Sequence, residues 1–171
     1  MYELNKSLEL LHPISTVWEL IHDPLQLATC VPGMTEITAL PQEKYRMQMH
    51  IKTGLLDTKA VGIAQIVSAD PANFEIIIIG EGEQIMKGVK VRIHQKIFPL
   101  SAGCTLKINI KINGIPSSNE QLIMSVSAYY FDLFLRNVQN KLDGKAVDTS
   151  LHAGALISSV IKNKLKGWFK Q

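Results

Sequence analysis

Leu106-Lys107-Ile108-Asn109-Ile110-Lys111-Ile112, followed almost at once by Gly114-Ile115-Pro116, is the stretch on which the fold turns. Its apolar residues occupy every second position, the repeat of a strand with one buried face. Past Pro116 the repeat becomes helical. Ser118 or Asn119 can cap a helix running to about Leu142. On that helix Leu122, Ile123, Val126, Tyr129, Tyr130 and Leu133 share one face. A second apolar stripe, Met124, Phe131, Leu135, Val138 and Leu142, lies nearly opposite. Such a helix needs cover on both sides. A sheet can cover one; a partner chain, a loop or the C-terminal segment must cover the other.

Upstream, alternation recurs. Tyr45, Met47, Met49 and Ile51 alternate with Arg46, Gln48, His50 and Lys52, and Val89, Val91 and Ile93 alternate with Lys90, Arg92 and His94. Between them, Gly54 to Asp57 reads as a turn and Lys59 to Ser68 as a strand ending at Asp70-Pro71. Phe74 to Ile79 is the most β-prone run, with Gly80 and Gly82 as its expected end. Nearer the start, Leu4 to Leu10 reads as an opening strand. Pro13-Ile14-Ser15 then begins a short helix with Ser15 as its expected cap. Asp23-Pro24 ends that helix and opens another through Leu25, Leu27 and Ala28, stopped by Pro32-Gly33. The order predicts an α+β domain: one antiparallel sheet with an apolar and a polar face, and a long helix against it.

Composition fits that reading. A chain of 171 residues with 46% hydrophobic and 19% charged residues is one ordinary domain, neither disordered nor acidic and solvating. The longest aliphatic run, Ile76 to Ile79, is too short to span a bilayer. Glu3 and Glu9 near the start, without a long apolar run, argue against a secretory signal. A cytoplasmic protein is expected. Cys30 and Cys104 stand without metal-ligand spacing, as do His12, His22, His50, His94 and His152, so no metal is expected. The formal charge of +3 is uneven: from Lys145 onward five lysines face Asp148, leaving the rest of the chain slightly acidic. That distribution argues against nucleic-acid binding, which needs a basic stripe on the folded body.

Several motifs carry a resemblance. Val17-Trp18-Glu19-Leu20 precedes Asp23-Pro24, and Leu27-Ala28-Thr29-Cys30-Val31-Pro32-Gly33 follows. Gly54 and Gly62, Asp70-Pro71, Gly80-Glu81-Gly82 before Gly88, Gly103-Cys104-Thr105-Leu106 and Gly114 complete the set. In these features, over roughly residues 3–142, the chain resembles the START-like (SRPBCC) superfamily and, more narrowly, the family of the carbon monoxide dehydrogenase G subunit. It departs from the family pattern at Ile115-Pro116-Ser117-Ser118, where a small, glycine-containing segment is expected before the last helix. The resemblance implies a helix-grip fold, a curved antiparallel sheet wrapped around a long C-terminal helix, holding an apolar ligand between them. It also implies an accessory protein of molybdenum-containing carbon monoxide dehydrogenases, with roles in membrane attachment and quinone handling. The expected division is a helix-grip ligand-binding domain over residues 1–143 and a basic amphipathic tail over 144–171.

A ligand held there would contact Met47, Met49, Phe74, Ile76, Val91, Ile93 and Ile108 on the sheet, and Val126, Tyr130 and Leu133 on the helix. Adaptable apolar walls suit a quinone or lipid, and the same residues also suit a filled core. Gly80-x-Gly82 is not a dinucleotide site, since Glu81 and Glu83 would repel pyrophosphate and no helix opens there. No serine has a recognisable nucleophilic setting. Strand parity places no carboxylate or histidine securely inward, so no catalytic residue is assigned. Trp18 reads as a core anchor, and Cys30, without a basic neighbour in sequence, as a buried hydrophobe.

In the tail, Leu156, Ile157, Val160, Ile161, Leu165, Trp168 and Phe169 supply apolar surface, while Lys162, Lys166 and Lys170 lie opposite. Lys164 falls inside the apolar arc, where it can snorkel. Near an anionic membrane each lysine contributes roughly 1 kcal/mol, so the four supply about 4 kcal/mol. Reversible, peripheral attachment at the inner membrane face or to a partner enzyme follows. The competing reading docks the tail on the second stripe of the long helix. Two other classes stand against a non-catalytic carrier: a helix-grip enzyme of the cyclase or hydratase type, needing ionisable groups in the cavity, and a structural homodimer joined through the apolar stripes.

Overall fold

The computed structural model describes residues 1–53, 56–84, 87–115 and 120–149, apart from the side chains of 51–53, 56–58 and 120–126. Strand β1 (Tyr2–Leu10) leads into helices α1 (Ile14–Ile21) and α2 (Pro24–Ala28). Strands β2 (Met34–Leu40), β3 (Lys44–Thr53), β4 (Leu56–Asp70), β5 (Glu75–Glu83), β6 (Lys90–Pro99) and β7 (Cys104–Asn113) follow, then α3 (Glu120–Leu142). The strands form one antiparallel sheet in the order β1-β7-β6-β5-β4-β3-β2. The two short helices therefore carry the chain from one edge of the sheet to the other. Irregularities at Met34/Glu36 and Ile66/Ser68 bend the strands that carry them. This is the expected helix-grip arrangement.

Local differences have local causes. Ser15 does not cap α1: the helix begins at Ile14, Pro13 holds the capping position, and its carbonyl accepts from Val17 N at 3.2 Å. The second cap is as expected, with Asp23 Oδ1 accepting from Leu25 N and Gln26 N. β2 lacks clean alternation because its register shifts between Met34 and Glu36. β5 runs through Gly80 and Gly82 instead of ending there, since these pair across the ladder with Ala64 and Gly62. Small residues face small residues and the ladder closes. The capping residues expected for α3, Ser118 or Asn119, lie outside the described residues.

The inner face of the sheet decides the core. Leu10, Leu106, Ile108, Ile110, Ile97 and Ile76 are buried against Val17, Leu20 and Ile21 of α1 and against Phe134, Leu135 and Val138 of α3. Trp18 packs beside this cluster as an anchor, stacked on His22 and edge-on to Phe74 at 5.9 Å. Phe74 has φ +50°, a strained conformation for a bulky residue. The turn before it is secured by Asp70, whose carboxylate accepts from Ala72 N, Asn73 N and Asn73 Nδ2. Those bonds hold the Asp70 carboxyl below the usual range.

The hairpin between β6 and β7 depends on Gly103, at φ +99°, where a Cβ would fall 2.0 Å from Leu10 O. Neither the dihedral nor the space admits a side chain. Gly103→Ala is expected to destabilise the domain by about 2 kcal/mol or more, by strain and by displacing the end of β1. Urea denaturation checks this; a midpoint equal to that of the wild type would contradict it.

Candidate functional site

A cavity of about 230 Å³ lies between the inner face of the sheet and α3, with α2 and β2 along its side. Its origin is a change of side-chain size across the sheet. Beneath α3's C-terminal half the inner face carries leucine and isoleucine, whereas toward β4 and β5 it carries Ala64 and Gly80. Met47 and Tyr45 stand directly across from Gly62 and Ala64 on β3. Small residues in mid-sheet leave the space that larger ones fill elsewhere.

Of the residues expected at a ligand site, Met47, Met49, Val91, Ile93, Ile108 and Tyr130 lie on the cavity wall. Three do not. Ile76 faces inward but is wholly buried in the packed core, Phe74 sits against Trp18, and Leu133 is buried away from the cavity. The Val126 side chain and the tail residues Leu156 to Phe169 lie outside the described residues. The reason Leu133 misses is rotational: Phe131 and Phe134 hold the cavity-facing position on α3, and the stripe of Phe131, Leu135, Val138 and Leu142 meets the core. Two nearly opposite stripes give periodicity no means of choosing between them.

Gln95 was not among the expected residues. It shares the inward parity of Val91, Ile93 and Ile97, is 2% exposed, and lines the cavity. Besides its amide, the polar side-chain groups on the wall are the hydroxyls of Tyr45 and Tyr130. Tyr130 donates to Met49 Sδ at 3.8 Å, a weak acceptor, and burial pushes its phenol up out of any ionising range. Among the described wall residues there is no carboxylate, imidazole, ammonium, guanidinium or thiol. On the outer face, His94 is paired with Glu75 at 2.6 Å instead of being simply solvated.

The family model for the carbon monoxide dehydrogenase G subunit (CoxG) matches residues 7–142. The chain belongs to the CoxG family. Solved structures agree on the fold. A conserved protein from Geobacillus kaustophilus superposes with a TM-score of 0.70 at 18% identity, covering 84% of this chain and 96% of its own. A protein from Chromobacterium violaceum gives 0.63 at 18% identity over 81% and 96% of the two chains. A START superfamily protein from Mycobacterium smegmatis gives 0.64 at 15% identity over 83% and 99%. No curated protein sequence matches. This CoxG family member is thus a helix-grip protein, with an apolar hollow between its sheet and its long helix.

A second buried amide ties the domain together beside the hollow. Asn137 of α3 is wholly buried; its Nδ2 donates to Cys30 O at 3.0 Å and Asp148 O at 2.7 Å, and its Oδ1 accepts from Asp148 N at 3.1 Å. One side chain thereby joins α3, the loop after α2 and the segment beyond α3. Lys141 donates to Thr29 Oγ1 at 2.8 Å and its charge acts on Cys30, a basic neighbour supplied by the fold and not by the adjacent sequence. Burial outweighs it and pushes the Cys30 thiol up. Asn137→Ala removes three hydrogen bonds, one to the carbonyl of buried Cys30 and two to the exposed Asp148 backbone, and is expected to cost about 1–3 kcal/mol, read as a lowered denaturation midpoint. A change below the error of the measurement would show that these bonds are dispensable.

Proposed function

We propose that this protein binds an apolar small molecule, a quinone or lipid, in the cavity under α3 and carries it without transforming it. The observation that carries the reading is the wall itself: hydrocarbon on nearly every side, with no charged side chain among the described residues. Acid–base or nucleophilic chemistry needs an ionisable group positioned at the substrate, and the wall offers a tyrosine held in its neutral form. Met34, Met47 and Met49 give the wall adaptable parts. At about 230 Å³ the cavity is below the roughly 300–1,000 Å³ of common ligand pockets, so it accommodates a ring or part of a chain rather than a whole long lipid.

The family name supports a carbon monoxide dehydrogenase as the partner enzyme. The tail supports action at a membrane surface. Thr149 O accepts from Gly33 N at 2.8 Å, between Val31 and Met34 of the cavity wall, so Thr149, the last described residue, is held beside the cavity. None of the described helices is long and apolar enough to cross a membrane, and peripheral attachment by the tail requires none.

Filling the hollow tests the first claim. At Gly80 a Cβ would meet Ile63 O at 3.8 Å and Val91 Cβ at 3.9 Å, ordinary contacts, so a larger side chain can enter there. Gly80→Val is expected to bind the fluorescent probe N-phenyl-1-naphthylamine at least tenfold more weakly, with stability unchanged or raised by up to about 1 kcal/mol. Unaltered probe affinity would place binding elsewhere. Mass spectrometry of an organic extract of the purified protein is expected to show a co-purified quinone or lipid.

Replacing Lys162, Lys164, Lys166 and Lys170 together by glutamate is expected to abolish co-sedimentation with phosphatidylglycerol vesicles, a loss on the order of a thousandfold from four lysines. Equal sedimentation of variant and wild type would overturn the membrane role and leave the cavity reading intact.

A further inference from the structure

Gln95 sits in mid-strand on β6, paired with Ile76 on one side and Ile108 on the other, with Ile93 and Ile97 as its neighbours on the inner face. It is 2% exposed and its amide oxygen has no hydrogen-bond partner among the described residues. A buried carbonyl without a donor destabilises a fold, and a leucine or isoleucine there would continue the row without that cost. Its carbonyl oxygen meets no donor among the described residues, yet the side chain belongs to the wall of the cavity.

From this we infer that the ligand is an uncharged amphipathic molecule whose head donates a hydrogen bond to Gln95 Oε1, which among the proposed ligands selects a quinol or a hydroxyl-headed lipid over an oxidised quinone. The inference rests on the cavity being the ligand site and specifies the chemistry of what enters it. The apolar remainder of the wall receives the hydrocarbon body. An anionic head, a carboxylate or phosphate, has no cation on the wall to meet it, and an unpaired charge in such surroundings is strongly disfavoured. A pure hydrocarbon would leave the carbonyl unpaired.

Two probes of equal size separate donor from bulk: 1-octanol, and heptyl methyl ether, which lacks the hydroxyl proton. Both are titrated as competitors of N-phenyl-1-naphthylamine on the full chain, with octanoate at pH 8 as the charged counterpart. In the wild type the alcohol is expected to bind about tenfold tighter than the ether, equivalent to about 1.4 kcal/mol, and octanoate weakest. In Gln95→Met, which keeps the length and removes the acceptor, alcohol and ether are expected to bind equally, with ether affinity retained. An ether as tight as the alcohol in the wild type, an alcohol preference that survives Gln95→Met, or octanoate binding tighter than octanol would each overturn the inference while leaving the cavity as an apolar site. If no probe displaces and N-phenyl-1-naphthylamine itself does not bind, the cavity reading fails and this inference with it. Should Gln95→Met not fold, the wild-type ranking of the three probes still decides.

Discussion

Side-chain volume along the inner face of the sheet is the constraint from which the rest follows. Where β1, β6 and β7 present Leu10, Ile97, Leu106 and Ile110, helices α1 and α3 settle onto them and the interior is filled. Where β4 and β5 present Ala64 and Gly80, the same helix is held at a distance it cannot close. A helix is rigid over its length, so its height is set by the tightly packed end, and missing volume at the other end becomes a hollow instead of a collapse. Ala64 and Gly80 matter here as absent side chains. The glycine Gly103 acts differently, admitting a backbone conformation and a close approach to Leu10 that no other residue allows.

Two buried amides show how unlike roles can follow from one side-chain chemistry. Asn137 is fully engaged, its bonds spanning α3, the loop at Cys30 and the segment at Asp148. Cys30 O is buried backbone that this amide supplies with a donor, and the two bonds to Asp148 tie down the segment beyond α3, so the residue is accounted for by structure alone. Gln95, equally shielded, leaves its carbonyl oxygen unanswered, a penalty of roughly 1–3 kcal/mol that the domain bears without return from its own contacts. A domain of this size has only a modest margin of stability, so such a group is more readily explained by what the cavity takes in than by folding.

The architecture was legible because its signals were local and repeated. Alternation at Tyr45–Lys52, Val89–His94 and Leu106–Ile112, broken at Gly114, identifies a sheet followed by a helix, and Asp23-Pro24 marks its own helix start. The face of a strand residue was legible: Met47, Met49, Val91, Ile93 and Ile108 all lie on the cavity wall, since parity fixes which side of the sheet each occupies. On α3 the rotation was not legible, because stripes on opposite sides are equivalent until the sheet chooses between them, and Phe134 falls between the two. Ile76 and Phe74 face inward but at the filled end, a distinction that depends on the size of residues three strands away. Gln95 was readable in principle, as a polar residue at the inward parity of a β-run, though an alternating strand with one exception resembles an irregular one until its burial is known.

Cavity size and chain path bear on each other. A hollow of about 230 Å³ holds a head or ring, so the remainder of a long ligand must leave through the open side. The strand β2 and the loop after α2 border the cavity through Val31, Met34 and Ile37, and the backbone at Gly33 is where the chain beyond α3 is tied, through Thr149. The fold thus holds Thr149, the last described residue, beside the cavity wall. If the cavity wall beside Thr149 is brought to a bilayer, an apolar chain can pass between cavity and membrane without crossing water. The hydrophobic cost of exchange, about 0.8 kcal/mol for each methylene that would otherwise be wetted, then largely disappears. A carrier that exchanged its cargo in bulk water would have to overcome that cost at every transfer, and under the proposed membrane role the need would fall away.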